Sequence, residues 1–464
     1  GGKDVELDIP QGESGGGSAK TSTYDGQDGV NIGNVFNKLL YATKFGDFEL
    51  LLSDRVNSNS KILYDRSPRE RVQKVAPWLT VDNDALPSVV DGKIVWILDG
   101  YTVSDRYPMA EKRSLEEMTA DAVNPRSAYA TLPTDQINYM RNAVKATVDA
   151  YDGTVTLYGW DESDPILKSW KKIFPGVVKD RADIPEELLN HMRYPEDQFK
   201  VQRNMLASYH VEDAKTFYEK NDRWSVPSDP ASTSQVRRNQ PPYRLSVSTV
   251  PGEEPKFSLT SVYVPSGKQN LASFISVGAD ASDPETYGKF DILRLPDNTQ
   301  VQGPQQIANQ FANDPKVAEA VRPFKQADAE VSYGNLLTLP VGEGLLYVQP
   351  LYTIRASGEG RYPVLRFVLV SFGKEIGIGS TLSAALDDVL GVAEGTTPDS
   401  ADTPTTPPPT SGSDVKLPAG ALRLLQQADA KFAEADKALR AGDLSGYADA
   451  VEEGRALVKR AMGR

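Results

Sequence analysis

Apolar and polar residues follow two rhythms along this chain, and the points where one gives way to the other mark out its elements. The two-residue rhythm is clearest at 88–90 and 94–102, two β-rich runs joined by Asp91-Gly92. An Asp-Gly between alternating apolar runs predicts a hairpin. Trp78, Trp96, Tyr101 and Tyr107 crowd the same window, so the spacing predicts a core hairpin around which packing is organised. A second hairpin is expected where Val144, Ala146, Val148 and Ala150 alternate with Lys145, Thr147, Asp149 and Tyr151. There Asp152-Gly153 turns the chain into 154–158. A two-residue turn would set Ala150 opposite Val155 and Val148 opposite Leu157.

Helical spacing governs other stretches. Val35, Phe36, Leu39, Leu40 and Phe45 predict a helix, with Gly46 to end it and Asp47 to cap a second at 48–56. The pair either packs on the core or lies in a membrane interface. Ser67-Pro68-Arg69-Glu70 opens a short helix running to about residue 75, and 108–134 reads as loop and short helix. Residues 164–226 read as an all-helical insertion, with helices opening at Pro165, Pro185 and Pro195 and a fourth capped by Asp213. A loop spans 227–242. A second β-rich half, 243–379, follows, with strands at 244–249, 256–264, 271–277, 290–294, 336–339, 345–354 and 364–372. A helical patch at 305–324 interrupts it and a helix at 381–390 closes it.

The fold class expected is therefore α+β, a mainly antiparallel core over 29–392 with a helical insertion. It is preceded by a flexible segment, 1–28. A Pro/Thr-rich tether, 393–416, and a helical hairpin, 417–464, follow.

Charge narrows the function. A net charge of −13 with no run of Lys or Arg excludes a nucleic-acid partner. No apolar run approaches the roughly 20 residues that cross a bilayer. With no cysteine, disulfides, thiolate catalysis and Cys-ligated zinc are excluded and the redox compartment stays open, a composition compatible with an extracytoplasmic bacterial setting. The opening at Gly1, without methionine, reads as part of something longer.

Candidate chemistry is sparse. His191 and His210 both fall on or beside expected helices, where packed or solvated histidines are the rule. The run 373–381 loosely resembles a phosphate-cradling loop, but its spacing is that of a strand-to-helix turn. Asp82, Asp84, Asp91, Asp99 and Asp105 make the first hairpin acidic. Asp91 and Asp99 each sit in an Asp-Gly turn signal. Converging, Asp82, Asp84, Asp99 and Asp105 could bind calcium or supply an acid/base pair for glycosidic cleavage. Trp96, Tyr101, Tyr107, Tyr158 and Trp160 could stack on sugars or head groups, although hairpin aromatics are usually core.

Four long stretches carry a resemblance: 62–108 (ILYDRSPRERVQKVAPWLTVDNDALPSVVDGKIVWILDGYTVSDRYP), 144–165, 192–211 and 333–352. In order, and across nearly all of 24–390, the chain resembles the soluble half of uncharacterised protein family 0182, large membrane proteins of actinobacteria and cyanobacteria. The resemblance implies a multi-pass membrane region ahead of Gly1 and an extracytoplasmic position at the plasma membrane. It implies no activity and no cofactor. The expectation is a noncatalytic module that binds an envelope lipid, glycan or protein, or assembles with copies of itself. The alternatives are a metal- or carboxylate-dependent envelope hydrolase and an accessory domain of a transporter.

Overall fold

In the computed structural model the described residues are 6–7, 21–22, 24–390, 431, 434 and 453, leaving out 25, 53–55, 121–135, 221, 233–237, 251–252, 297–299, 327–328, 343 and 356–361. The expected tether lies outside them, as do the expected terminal helical hairpin apart from residues 431, 434 and 453 and most of the expected N-terminal segment. The chain divides into two units, 1–397 and 398–464, and the fold described here is that of the first.

Three mainly antiparallel sheets, faced by helices, make an α+β body, as the alternating patterns require. In the first sheet the hairpin strands Leu86–Val90 and Lys93–Ser104 pair from Leu86 opposite Ile97 to Val90 opposite Lys93. Asp91 and Gly92 both take positive φ, 50° and 74°, which closes a two-residue turn of the expected kind. Tyr139–Asp149 pairs with Lys93–Ser104 on its other side and with Val155–Gly159 beyond.

The second hairpin differs from expectation by two residues of register: Val148 faces Val155 and Ala146 faces Leu157. Its turn is longer because local bonds outcompete the tight loop. The Asp149 carboxylate accepts from the amides of Tyr151 (2.8 Å) and Asp152 (3.0 Å), and Gly153 N–H donates to the Asp149 carbonyl. Arg66 donates to the Ala150 carbonyl (2.7 Å) and Arg71 to that of Gly153 (3.0 Å), which fixes the wider loop. A slip of two leaves every side chain on its own face.

Helix Pro68–Val75 and Leu167 cover one face of this sheet, and Leu188 and Met192 the other, so both faces of Tyr139–Asp149 are buried. The 164–226 stretch is not wholly helical. Between helices Pro165–Ile173 and Glu186–His191, Val178–Lys179 joins the first sheet in parallel, and Trp224–Ser225 joins the second. Helix Glu196–Tyr209 presents Phe199 to the second sheet, whose strands Tyr243–Val247, Lys256–Pro265, Ser273–Gly278 and Phe290–Arg294 fall close to the expected runs.

The third sheet comprises Ala329–Tyr333, Leu337–Val341, Gly344–Arg355, Val364–Phe372 and Glu375–Gly379. The 305–324 patch resolves into two helices, Pro304–Asn313 and Pro315–Gln326, separated at Asp314. The 373–381 run holds a whole strand rather than a plain turn. Gly377 and Gly379 keep it against helix Leu382–Leu390: a Cβ on Gly377 would stand 2.2 Å from the Ala385 carbonyl. No described helix is long and apolar enough to cross a membrane.

The first helical pair departs furthest from a core role. Asn34 caps Val35–Phe45, Gly46 ends it in the left-handed region, and Glu49–Leu52 follows. Only Ala42 is buried. Val35, Phe36, Leu39, Leu40, Phe45, Phe48 and Leu52 are exposed, Phe36 at 69% and Leu52 at 86%. The pair is nonetheless held in place, by Lys38 donating to the Val56 carbonyl (3.2 Å) and by Tyr41 packed against Tyr64.

Candidate functional site

The acidic hairpin gathers three of its four candidate carboxylates and leaves the fourth apart. Asp82, Asp84 and Asp99 line one small cleft with Arg193, Glu196 and Arg244, whereas Asp105 lies at the exposed end of the hairpin, paired with Lys112 (3.3 Å). Short strand Thr80–Val81 and the long strand beside it position the first group, with Asp82 N–H donating to the Asp99 carbonyl (2.9 Å).

Their oxygens are already engaged. Asp82 accepts from Tyr101 Oη, from the Asp84 amide (2.8 Å) and from the Asp197 amide (3.2 Å). Asp197 accepts from the backbone and side-chain nitrogens of Asn83, each at 3.1 Å. Asp99 is held by the fully buried Lys145 (2.5 Å) and by Asn142 (3.0 Å). Lys200 reaches back one helical turn to Glu196 (3.0 Å), and Arg244 bridges Glu196 (3.1 Å) and Asp84 (3.6 Å).

Burial, reinforced by the charges of Asp197 and Asp99, pushes the Asp82 carboxyl well above the ordinary carboxylate range. Burial raises Asp197 as well, although Lys200 pulls against it. Burial opposes the charge on Lys145, but neighbouring Asp99 and Tyr287 together outweigh it and raise the lysine. The cluster is thus a locked network of carboxyls and cations tying the first sheet to helix Glu196–Tyr209 and to the second sheet. Among the described residues no group of three or more acidic or histidine side chains could hold a metal ion. The cleft beside the cluster, about 30 Å³, has room for water only.

The residues that complete this network, Lys145, Glu196, Asp197, Lys200 and Arg244, were not singled out from the sequence. A lysine amid the apolar alternation Val144-Lys145-Ala146 is the signal that marks it, since such a position faces protein on both sides only if its charge is matched. His210 is a packed residue, stacked on Trp224 at 3.6 Å with Nδ1 donating to the Leu206 carbonyl (2.9 Å). His191 sits at the end of its helix, half-buried. Of the candidate stacking aromatics, Tyr101, Tyr158 and Trp160 are buried, Trp96 packs against the core, and Tyr107 alone is exposed, against Tyr139.

An antiparallel α+β body pinned by a buried ionic cluster, with an ordered apolar helical pair left uncovered, is the class that fold and site define. The chain belongs to the uncharacterised protein family UPF0182, whose profile matches residues 1–324. It is 51% identical over 464 residues to a UPF0182 protein of Nocardioides sp. (strain ATCC BAA-499 / JS614), covering 99% of this chain and 45% of that protein. It is 45% identical to a UPF0182 protein of Streptomyces coelicolor (95% and 44% covered) and 50% identical to one of Thermobifida fusca (79% and 36%). The chain spans less than half the length of these relatives. No solved structure matches it.

Proposed function

We propose that the chain is a noncatalytic extracytoplasmic module of an integral membrane protein that works by docking, through helices Val35–Phe45 and Glu49–Leu52, onto an envelope component, a partner protein or a further copy of itself. One observation carries this reading: seven large apolar side chains stand exposed on an ordered, capped element. Each is worth about 1.5–3 kcal/mol when fully buried, a gain the chain forgoes until something covers the face. The hydrolase alternative draws on Asp82, Asp84, Asp99 and Asp105, but Asp105 stands apart from the other three and the cleft beside them admits no glycan ring.

The test is recovery of the full-length membrane protein from its native envelope, with co-purifying lipids and proteins identified, for the natural sequence and for Phe36→Ser/Leu40→Ser. The docking reading expects a component lost in the variant. Identical recovery from both would defeat it.

A further inference from the structure

Between the second and third sheets runs a cleft of about 1670 Å³, larger than the roughly 300–1,000 Å³ that holds a drug-sized ligand. The sheets are joined beneath it, by Tyr243 donating to the Thr338 carbonyl (2.8 Å) and by Leu345 packing into the Val247, Leu271 and Phe274 cluster. Its walls are mainly aliphatic, with Leu245, Val247, Leu271, Leu295, Leu339 and Leu345 prominent. Such walls suit a flexible hydrocarbon chain, and Asn270, Gln300, Gln302 and Gln306 set hydrogen-bonding groups among them.

Two charged side chains, Lys374 and Glu253, stand at the lining. Lys374, in the exposed turn between Val364–Phe372 and Glu375–Gly379, stands at the cleft without an ion-pair partner among the described residues. The other charged group of the lining is Glu253, already paired with Lys256 (3.3 Å).

The geometry points to a binding site for a single-chain anionic lipid, its hydrocarbon along the aliphatic walls and its phosphate at Lys374. This site lies apart from the helical docking face and does not depend on it.

The test is titration calorimetry of the full chain with lysophosphatidylglycerol below its micelle concentration, and with lysophosphatidylcholine of the same chain length. The expected result is saturable binding of the anionic lipid with a negative heat-capacity change. Lys374→Glu, on an exposed turn, should weaken the anionic lipid at least tenfold and the zwitterionic one less than threefold. Leu339→Trp, which fills the cleft, should weaken both tenfold with the circular dichroism spectrum retained. No saturable binding, or binding that neither variant moves, would overturn the assignment. So would self-association of the natural chain that Leu339→Trp abolishes, since the cleft would then belong to a second copy.

Discussion

Lys145 is the most exacting place to perturb the ionic cluster. Its side chain has no exposure, its ammonium lies 2.5 Å from Asp99, donates to the Arg193 carbonyl (2.8 Å) and sits 5.2 Å from the Trp160 ring. Lys145→Met keeps the volume and removes the charge, leaving Asp99 facing the other carboxyls of the cluster with no cation of its own. Breaking a buried pair costs about 3–5 kcal/mol. Asp99 retains 15% exposure and so reaches some water, which puts the expected loss near the lower end, about 3 kcal/mol. Urea unfolding followed by tryptophan fluorescence reads this as a lowered midpoint with an unchanged slope. The double variant Lys145→Met/Asp99→Leu removes the stranded charge as well and should recover to within about 1 kcal/mol of the natural chain. A single variant costing under about 1 kcal/mol, or a double variant costing the sum of both singles, refutes the view that this pair locks the sheet to its helices.

Asp82 gives a pH test. A carboxyl raised by burial contributes stability that is present in acid and lost as pH rises from the unfolded carboxylate value through the folded one. Asp82→Asn should therefore gain on the natural chain between pH 4 and pH 8 in thermal melts, and an unchanged difference between the two chains across that range contradicts the raised value. Gly153→Ala should cost about 1–3 kcal/mol, because φ is +72° there and a Cβ would meet the Arg71 guanidinium that holds the loop; a neutral effect in chemical denaturation would show that the turn is not constrained as described. Phe36→Ser/Leu40→Ser should leave the melting temperature of the isolated chain within about 2 °C, because surface substitutions cost at most about 0.5 kcal/mol; a larger drop means these side chains are covered within the chain.

Elements were legible where a residue type has one local job. Asp91-Gly92 closes its hairpin because both positions need positive φ, and the strands at 290–294 and 364–372 match the apolar pattern to the residue. The second hairpin slipped by two because Asp149, Arg66 and Arg71 set its loop, and the arginines lie some 80 residues away in the chain. Strand Glu375–Gly379 hid behind its glycines, whose role is to admit a helix that follows them. The acidic positions of the hairpin were visible, but their meaning was not: Lys145, Asp197 and Lys200 reach them only through tertiary packing. Helical periodicity at 35–45 announced an apolar face without saying whether the chain itself would cover it.

This chain has no native cysteine, so a single introduced one is the sole reporter in the isolated chain, and in the full-length protein each variant is read against the unsubstituted protein. In the full-length protein on intact cells, reaction with a membrane-impermeant maleimide can be compared at Phe36→Cys, Leu52→Cys and Tyr218→Cys, the last an exposed control at 85% exposure away from the helical pair. The docking account predicts rapid labelling at 218 and protection at 36 and 52, with all three reactive in the isolated chain. Labelling at 36 and 52 on cells as fast as in isolation would contradict it, and silence at 218 would contradict an extracytoplasmic position.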